Sequence, residues 1–185
     1  TNFELWKSDG TAAGTALVKD IYAGNGGGAP DNLTNVNGIL YFMARSSAAG
    51  RELWKTDGTD AGTILVKDIN PGPDDSSPQN LTNVNGTLYF TATDAVNGIE
   101  LWKSDGTEAG TVMVKDINPG TDDSNPFYLI NTNGTLYFTA TDAVNGIELW
   151  KSNGTEAGTV MVKDINPGMP SSAPLNLTSV NAELY

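Results

Sequence analysis

The chain has 185 residues, with 22 acidic against 10 basic side chains and a formal net charge of −12. It contains no Cys and no His, which removes disulfides, thiolate and imidazole metal sites, Ser-His-Asp or Cys-His machinery and any histidine base. So acidic a chain is repelled by nucleic acid and anionic lipid, and no apolar run approaches the ~20 residues of a membrane span. Its length is that of one domain by the usual prior of roughly 100–200 residues.

In chain order, the first expected strand covers 3–7, around Glu4-Leu5-Trp6. A Gly- and Asp-containing loop then leads to the phrase Val-Lys-Asp-Ile at Val18. Both phrases return. Glu-Leu-Trp recurs at Glu52, Glu100 and Glu148, and Val-Lys-Asp-Ile at Val66, Val114 and Val162, in steps of 48. Leu-Tyr recurs at Leu40, Leu88, Leu136 and Leu184 with the same step. Segments 85–120 and 133–168 differ only in Asp105 against Asn153, the mark of a recent internal duplication. A period of 20–50 residues indicates a solenoid, propeller or array.

One unit reads as four strands, at 80–84, 88–93, 99–103 and 111–117, each rich in β-branched and aromatic residues or alternating in polarity. Asn85-Gly86 predicts a type I′ hairpin, and Asn118-Pro119-Gly120 a turn in which Pro fixes φ and Gly accepts a positive one. No stretch keeps a 3.6-residue apolar period, so no helix is expected. Four antiparallel strands per 48 residues predict an all-β fold, a β-propeller of four-stranded blades. A right-handed β-solenoid is the rival, although its coils are shorter. The expected units are a half-blade at 1–22, full blades at about 29–70, 77–118 and 125–166, and a half-blade at 173–185. The chain opens inside a pattern, which reads as mature or excised material. The split terminal halves could close a four-bladed ring within one chain, pair between chains as a homo-oligomer or filament, or belong to a longer array.

The recurring Glu-Leu-Trp-Lys-Ser-Asp-Gly-Thr at 4–11, with variants at 52–59, 100–107 and 148–155, is followed each time by Ala-Gly-Thr. It resembles the ELWxxDGT repeat of large bacterial exported proteins, and nearly the whole chain shares it. The resemblance implies a bacterial cell-surface or extracellular setting and carries no biochemical activity with it. The Ser-Asp-Gly-Thr turn is also similar to the Asp-box hairpin of sialidase-type propellers, at a different spacing. That supports a hairpin and not a sialidase.

Trp6, Trp54, Trp102 and Trp150 could stack on sugar rings, but one aromatic per blade at a fixed position is how a propeller fills the space between blades. Asp9, Asp57 and Asp105, replaced by Asn153 in the last copy, are expected to accept hydrogen bonds from turn amides. The more interesting acids fall in connections that share one face of a propeller: Asp74, Asp75, Asp94, Asp122, Asp123 and Asp142. Glu100 and Glu148 begin strands near that face and Asp68, Asp116 and Asp164 end strands there. Hard carboxylate oxygens suit calcium, with Asp68, Asp116 and Asp164 as candidate metal ligands, yet no Asp-x-Asp-x-Asp-Gly loop is present. A solvated acidic rim is the plainer alternative. Near-identical units offer one environment repeatedly, whereas a catalytic carboxylate pair needs two. The clear departures from the repeat are 22–31 and 43–51. The expectation is therefore a non-catalytic binding or adhesion module recognising a glycan or surface protein through several equal sites. A building block that assembles through its terminal halves is the alternative, and a fragment of a glycan-acting hydrolase the weakest.

Overall fold

The computed structural model describes residues 3–24 and 26–185. Thr1 and Asn2 of the expected first half-unit, and Asn25 of the divergent 22–31 segment, lie outside the described residues. Every element among the described residues is a strand, and there is no helix. A two-stranded hairpin, β1 (Leu5–Lys7) and β2 (Ala16–Lys19), comes first. Three four-stranded antiparallel sheets follow as simple meanders. The second sheet holds β3 (Asp31–Val36), β4 (Ile39–Ser46), β5 (Gly50–Thr56) and β6 (Ile64–Lys67). The third holds β7 (Gln79–Val84), β8 (Thr87–Asp94), β9 (Gly98–Ser104) and β10 (Val112–Lys115). The fourth holds β11 (Phe127–Thr132), β12 (Thr135–Asp142), β13 (Gly146–Ser152) and β14 (Val160–Lys163). A short hairpin, β15 (Ser179–Val180) and β16 (Glu183–Leu184), ends the chain.

The first hairpin of each full sheet turns on Asn-Gly with both residues at positive φ, for example Asn85 at 52° and Gly86 at 87°. That is the type I′ geometry, whose twist matches the strands it joins. Asn83 Oδ1 accepts from Gly86 N at 2.9 Å and closes the turn.

The second and third sheets are buried on both faces by their neighbours, and the fourth on one. One face of the second sheet, carrying Tyr41, Leu53, Val66 and Ile69, packs on Leu88, Phe90, Ala92 and Trp102 of the third. Tyr89, Leu101, Val114 and Ile117 repeat this against Leu136, Phe138, Ala140 and Trp150. Leu5, Val18 and Ile21 do so against Phe42, Ala44 and Trp54. Phe90 sits directly across from Trp102 in the β8–β9 ladder, and a buried aromatic of this size stabilises by roughly 1.5–3 kcal/mol.

The first strands of successive sheets lie side by side. Thr34 Oγ1 donates to Leu81 O at 3.2 Å, and Thr82 Oγ1 to Leu129 O at 3.3 Å. Lysines tie the outer parts together. Lys7, Lys55 and Lys103 each donate to a hairpin carbonyl of the next sheet, Gly58, Gly106 and Gly154, at 2.7–2.8 Å. Lys67 and Lys115 reach Thr111 O and Thr159 O in the same way.

Candidate functional site

Glu52, Glu100 and Glu148 are completely buried. Each pins the connection that leaves the fourth strand of its sheet. Glu100 Oε2 accepts from Ile117 N at 3.0 Å and from Ser124 Oγ at 2.6 Å, and Oε1 accepts from Ser124 N at 3.1 Å. Glu52 does the same with Ile69 and Ser76, and Glu148 with Ile165 and Ser172. Burial pushes Glu52 and Glu100 up to about 7, against these hydrogen bonds. For Glu148 burial is still the largest single influence, but the hydrogen bonds together outweigh it and hold the carboxyl below its ordinary range. An acid in an alternating strand reads as surface in a sequence, so this anchoring role had no visible signal.

The loop acids gather at one end of each sheet. At Gly98, with φ at 67°, an added Cβ would fall 2.8 Å from Asp122 O, so the second connection of the sheet touches the loop leaving its last strand. There Asp94 Oδ1 accepts from Val96 N and Asn97 N at 2.7–2.8 Å. Asp142 repeats this with Val144 and Asn145. Asp123 Oδ1 accepts from Ile99 N at 2.8 Å, and Asp75 takes Arg51 N together with a 3.0 Å ion pair to the Arg51 guanidinium. Asp74 and Asp122 are exposed. Asp68, Asp116 and Asp164 each accept from a loop glycine N through Oδ2 at 3.1–3.2 Å, while Oδ1 is buried without a hydrogen-bond partner. They follow the last strands of three different sheets, and among the described residues no three acidic side chains come together to hold a metal ion.

At the opposite hairpins, Asp105 Oδ1 accepts from Thr107 N at 2.8 Å and Thr107 Oγ1 at 2.7 Å. The Thr107 hydroxyl is the first cause, and its amide the second, of an Asp105 carboxyl held below its usual range. Asp9 and Asp57 make the same pair of bonds, and Asn153 makes them through its amide oxygen. Gly110 leaves room for this carboxylate, since a Cβ there would overlap Asp105 Oδ1 unless the carboxylate gave up its place.

The tryptophans divide. Trp54, Trp102 and Trp150 are 6–8% exposed, whereas Trp6 is 57% exposed. The opposite end of the stack is bare as well. Val162 and Ile165 are 44% and 49% exposed, against 6% and 4% for Val114 and Ile117. A groove of about 450 Å³ runs beside β1, lined by Phe3, Leu5, Trp6, Pro30 and Leu33.

One departure from the repeat escaped the sequence reading. The second residue of β3 and of β7 is Asn, Asn32 and Asn80, and the corresponding position ahead of β15 is Asn176, all at φ 55–57°. In the remaining copy it is Tyr128, at φ 53°. Asn tolerates this left-handed backbone, whereas a bulky side chain there costs of order 1–3 kcal/mol. Asn32 and Asn80 also donate to the neighbouring first strand's approach, at Pro78 O and Pro126 O. Beside Tyr128 stands Phe127, 48% exposed, with ring centroids 4.8 Å apart and planes at 89°. This strand falls between the near-identical segments 85–120 and 133–168. Its signal in the sequence is Tyr128 at the position that Asn32, Asn80 and Asn176 hold in the other copies.

No family model, no curated relative and no solved structure matches the chain.

Proposed function

We propose that the chain is a non-catalytic, self-complementary repeat module of β-propeller type, whose two end faces each take a further repeat unit, from a second copy or from adjoining repeats of the same polypeptide. One observation carries this reading: the bare faces at the two ends are the two halves of an interface the chain builds three times internally. Inside the chain, Trp102 covers Val66 and Ile69, and Trp150 covers Val114 and Ile117. By the same step, Trp6 of a second copy covers Val162 and Ile165, and Lys151 reaches Gly10 O. β15–β16 is a first-and-second strand pair, and β1–β2 a third-and-fourth pair. Together they complete one four-stranded sheet, so no strand edge stays open. A ring of two chains or an open filament follows from whether the rotation closes. The exported setting implied by the ELWxxDGT resemblance suits such a building block. The hydrogen bonds that occupy Glu52, Glu100 and Glu148 support a structural over a catalytic use of these carboxylates.

Light scattering over a concentration series tests this. The native chain is expected to rise from 19.4 kDa to at least twice that mass, while Trp6→Ala and Ile165→Asp stay at one chain with unchanged circular dichroism. One-chain mass for the native protein at every concentration contradicts joining.

Recognition of a glycan by the repeat is a second reading, favoured by uncharged grooves around Phe127 in an otherwise acidic chain.

A further inference from the structure

We infer that Phe127 and Tyr128 form a stacking platform for a neutral oligosaccharide on the side-by-side first strands; this rests on the glycan reading above. Two grooves meet at Phe127. One, of about 160 Å³, runs between the third and fourth sheets and is lined by Ser77, Asn80, Thr91, Thr93, Asn125 and Phe127. The other, of about 380 Å³, crosses β3, β7 and β11 and is lined by Asn32, Thr34, Asn80, Thr82, Phe127 and Tyr128. The larger lies within the volume range of small-molecule sites, roughly 300–1,000 Å³. Asn80 and Phe127 border both grooves, so the aromatic pair stands where the two meet.

The lining fixes the ligand class. No charged side chain borders either groove, although the chain carries a net charge of −12. A cation would find no carboxylate there, and an anion would find no Lys or Arg. What is offered is an exposed aromatic surface beside amide and hydroxyl groups. A sugar ring matches it: its C–H face covers an aromatic while its hydroxyls meet Asn and Thr. The substitution also runs against the local fold. Tyr128 replaces the residue that suits the left-handed backbone, and Ile130 stands where Thr34 and Thr82 donate across to the next first strand. Strain kept at one copy of a repeat, beside a groove, indicates a site selected for something other than stability.

Calorimetric titration with neutral hexaoses of glucose, mannose, galactose and N-acetylglucosamine, and with an acidic hexaose of galacturonate, tests the platform. At least one neutral hexaose is expected to bind, and the acidic one to bind at least 10-fold more weakly. Phe127→Ala and Tyr128→Asn are each expected to weaken binding at least 10-fold. Tyr128→Asn restores the residue of the other copies, so its melting temperature should match or exceed that of the native chain, which separates lost binding from lost folding. If a hexaose binds and both variants bind it equally well, the platform is wrong and the glycan reading stands. If no hexaose binds the native chain, or only the acidic one does, both fall.

Discussion

Segments 85–120 and 133–168 are the same sequence but for one residue, yet they occupy different surroundings. In the first, Val114 and Ile117 are covered by the fourth sheet and Glu100 is raised to about 7. In the second, Val162 and Ile165 are half bare and Glu148 is lowered, although its hydrogen-bond partners correspond one for one. Since the two segments match, the difference comes from what lies outside them: the next sheet, and a following loop that reads Thr121-Asp122-Asp123-Ser124 in one copy and Met169-Pro170-Ser171-Ser172 in the other. Stability in this chain resides between sheets, as expected for repeats whose single unit cannot bury its own faces.

The largest test of that contrast lies in the tryptophans. Trp102→Ala removes a buried indole and is expected to cost about 3–5 kcal/mol. Trp6→Ala, measured on the single chain at high dilution, is expected to cost under about 1 kcal/mol. Urea unfolding of the two variants reads both, and equal losses would erase the distinction. Next comes pH. Glu52 and Glu100 have an ordinary value of 4.5 and a folded value of about 7. The folded state therefore holds more protons between these values. Their contribution is fully present below about pH 4.5 and is lost as pH rises through about 7. Glu100→Gln should flatten this fall in unfolding free energy, and Glu148→Gln should leave it unchanged. A smaller pair is Ile117→Val, expected to cost about 1 kcal/mol, against Ile165→Val, with almost no cost in the single chain. The smallest effect is Asp105→Asn. Asn153 already makes both hairpin bonds, so the thermal midpoint should not move; a clear drop would show that the charge itself matters there.

The strands and hairpins were legible because their signals are local. Asn-Gly turns and β-branched runs fix four strands per unit whatever surrounds them. The roles of Glu52, Glu100 and Glu148 were not legible, because their partners lie 17 and 24 residues away in loops, and nothing in Glu-Leu-Trp distinguishes an anchoring acid from a surface one. The exposure of Trp6 was hidden for the opposite reason, since its local phrase matches those of its buried counterparts. Tyr128 was visible in principle, but its backbone strain appears only when φ is known.

The most direct measurement of head-to-tail joining uses the chain's lack of cysteine. Leu88 pairs with Ser104, and Leu136 with Ser152, so the composite sheet pairs Leu184 of one copy with Ser8 of the next. A double variant, Ser8→Cys with Leu184→Cys, places two thiols within disulfide reach only if that sheet forms. On mild oxidation, non-reducing electrophoresis and intact mass should show disulfide-linked species of two or more chains. Two free thiols, or a disulfide closed within one chain, would contradict joining between copies.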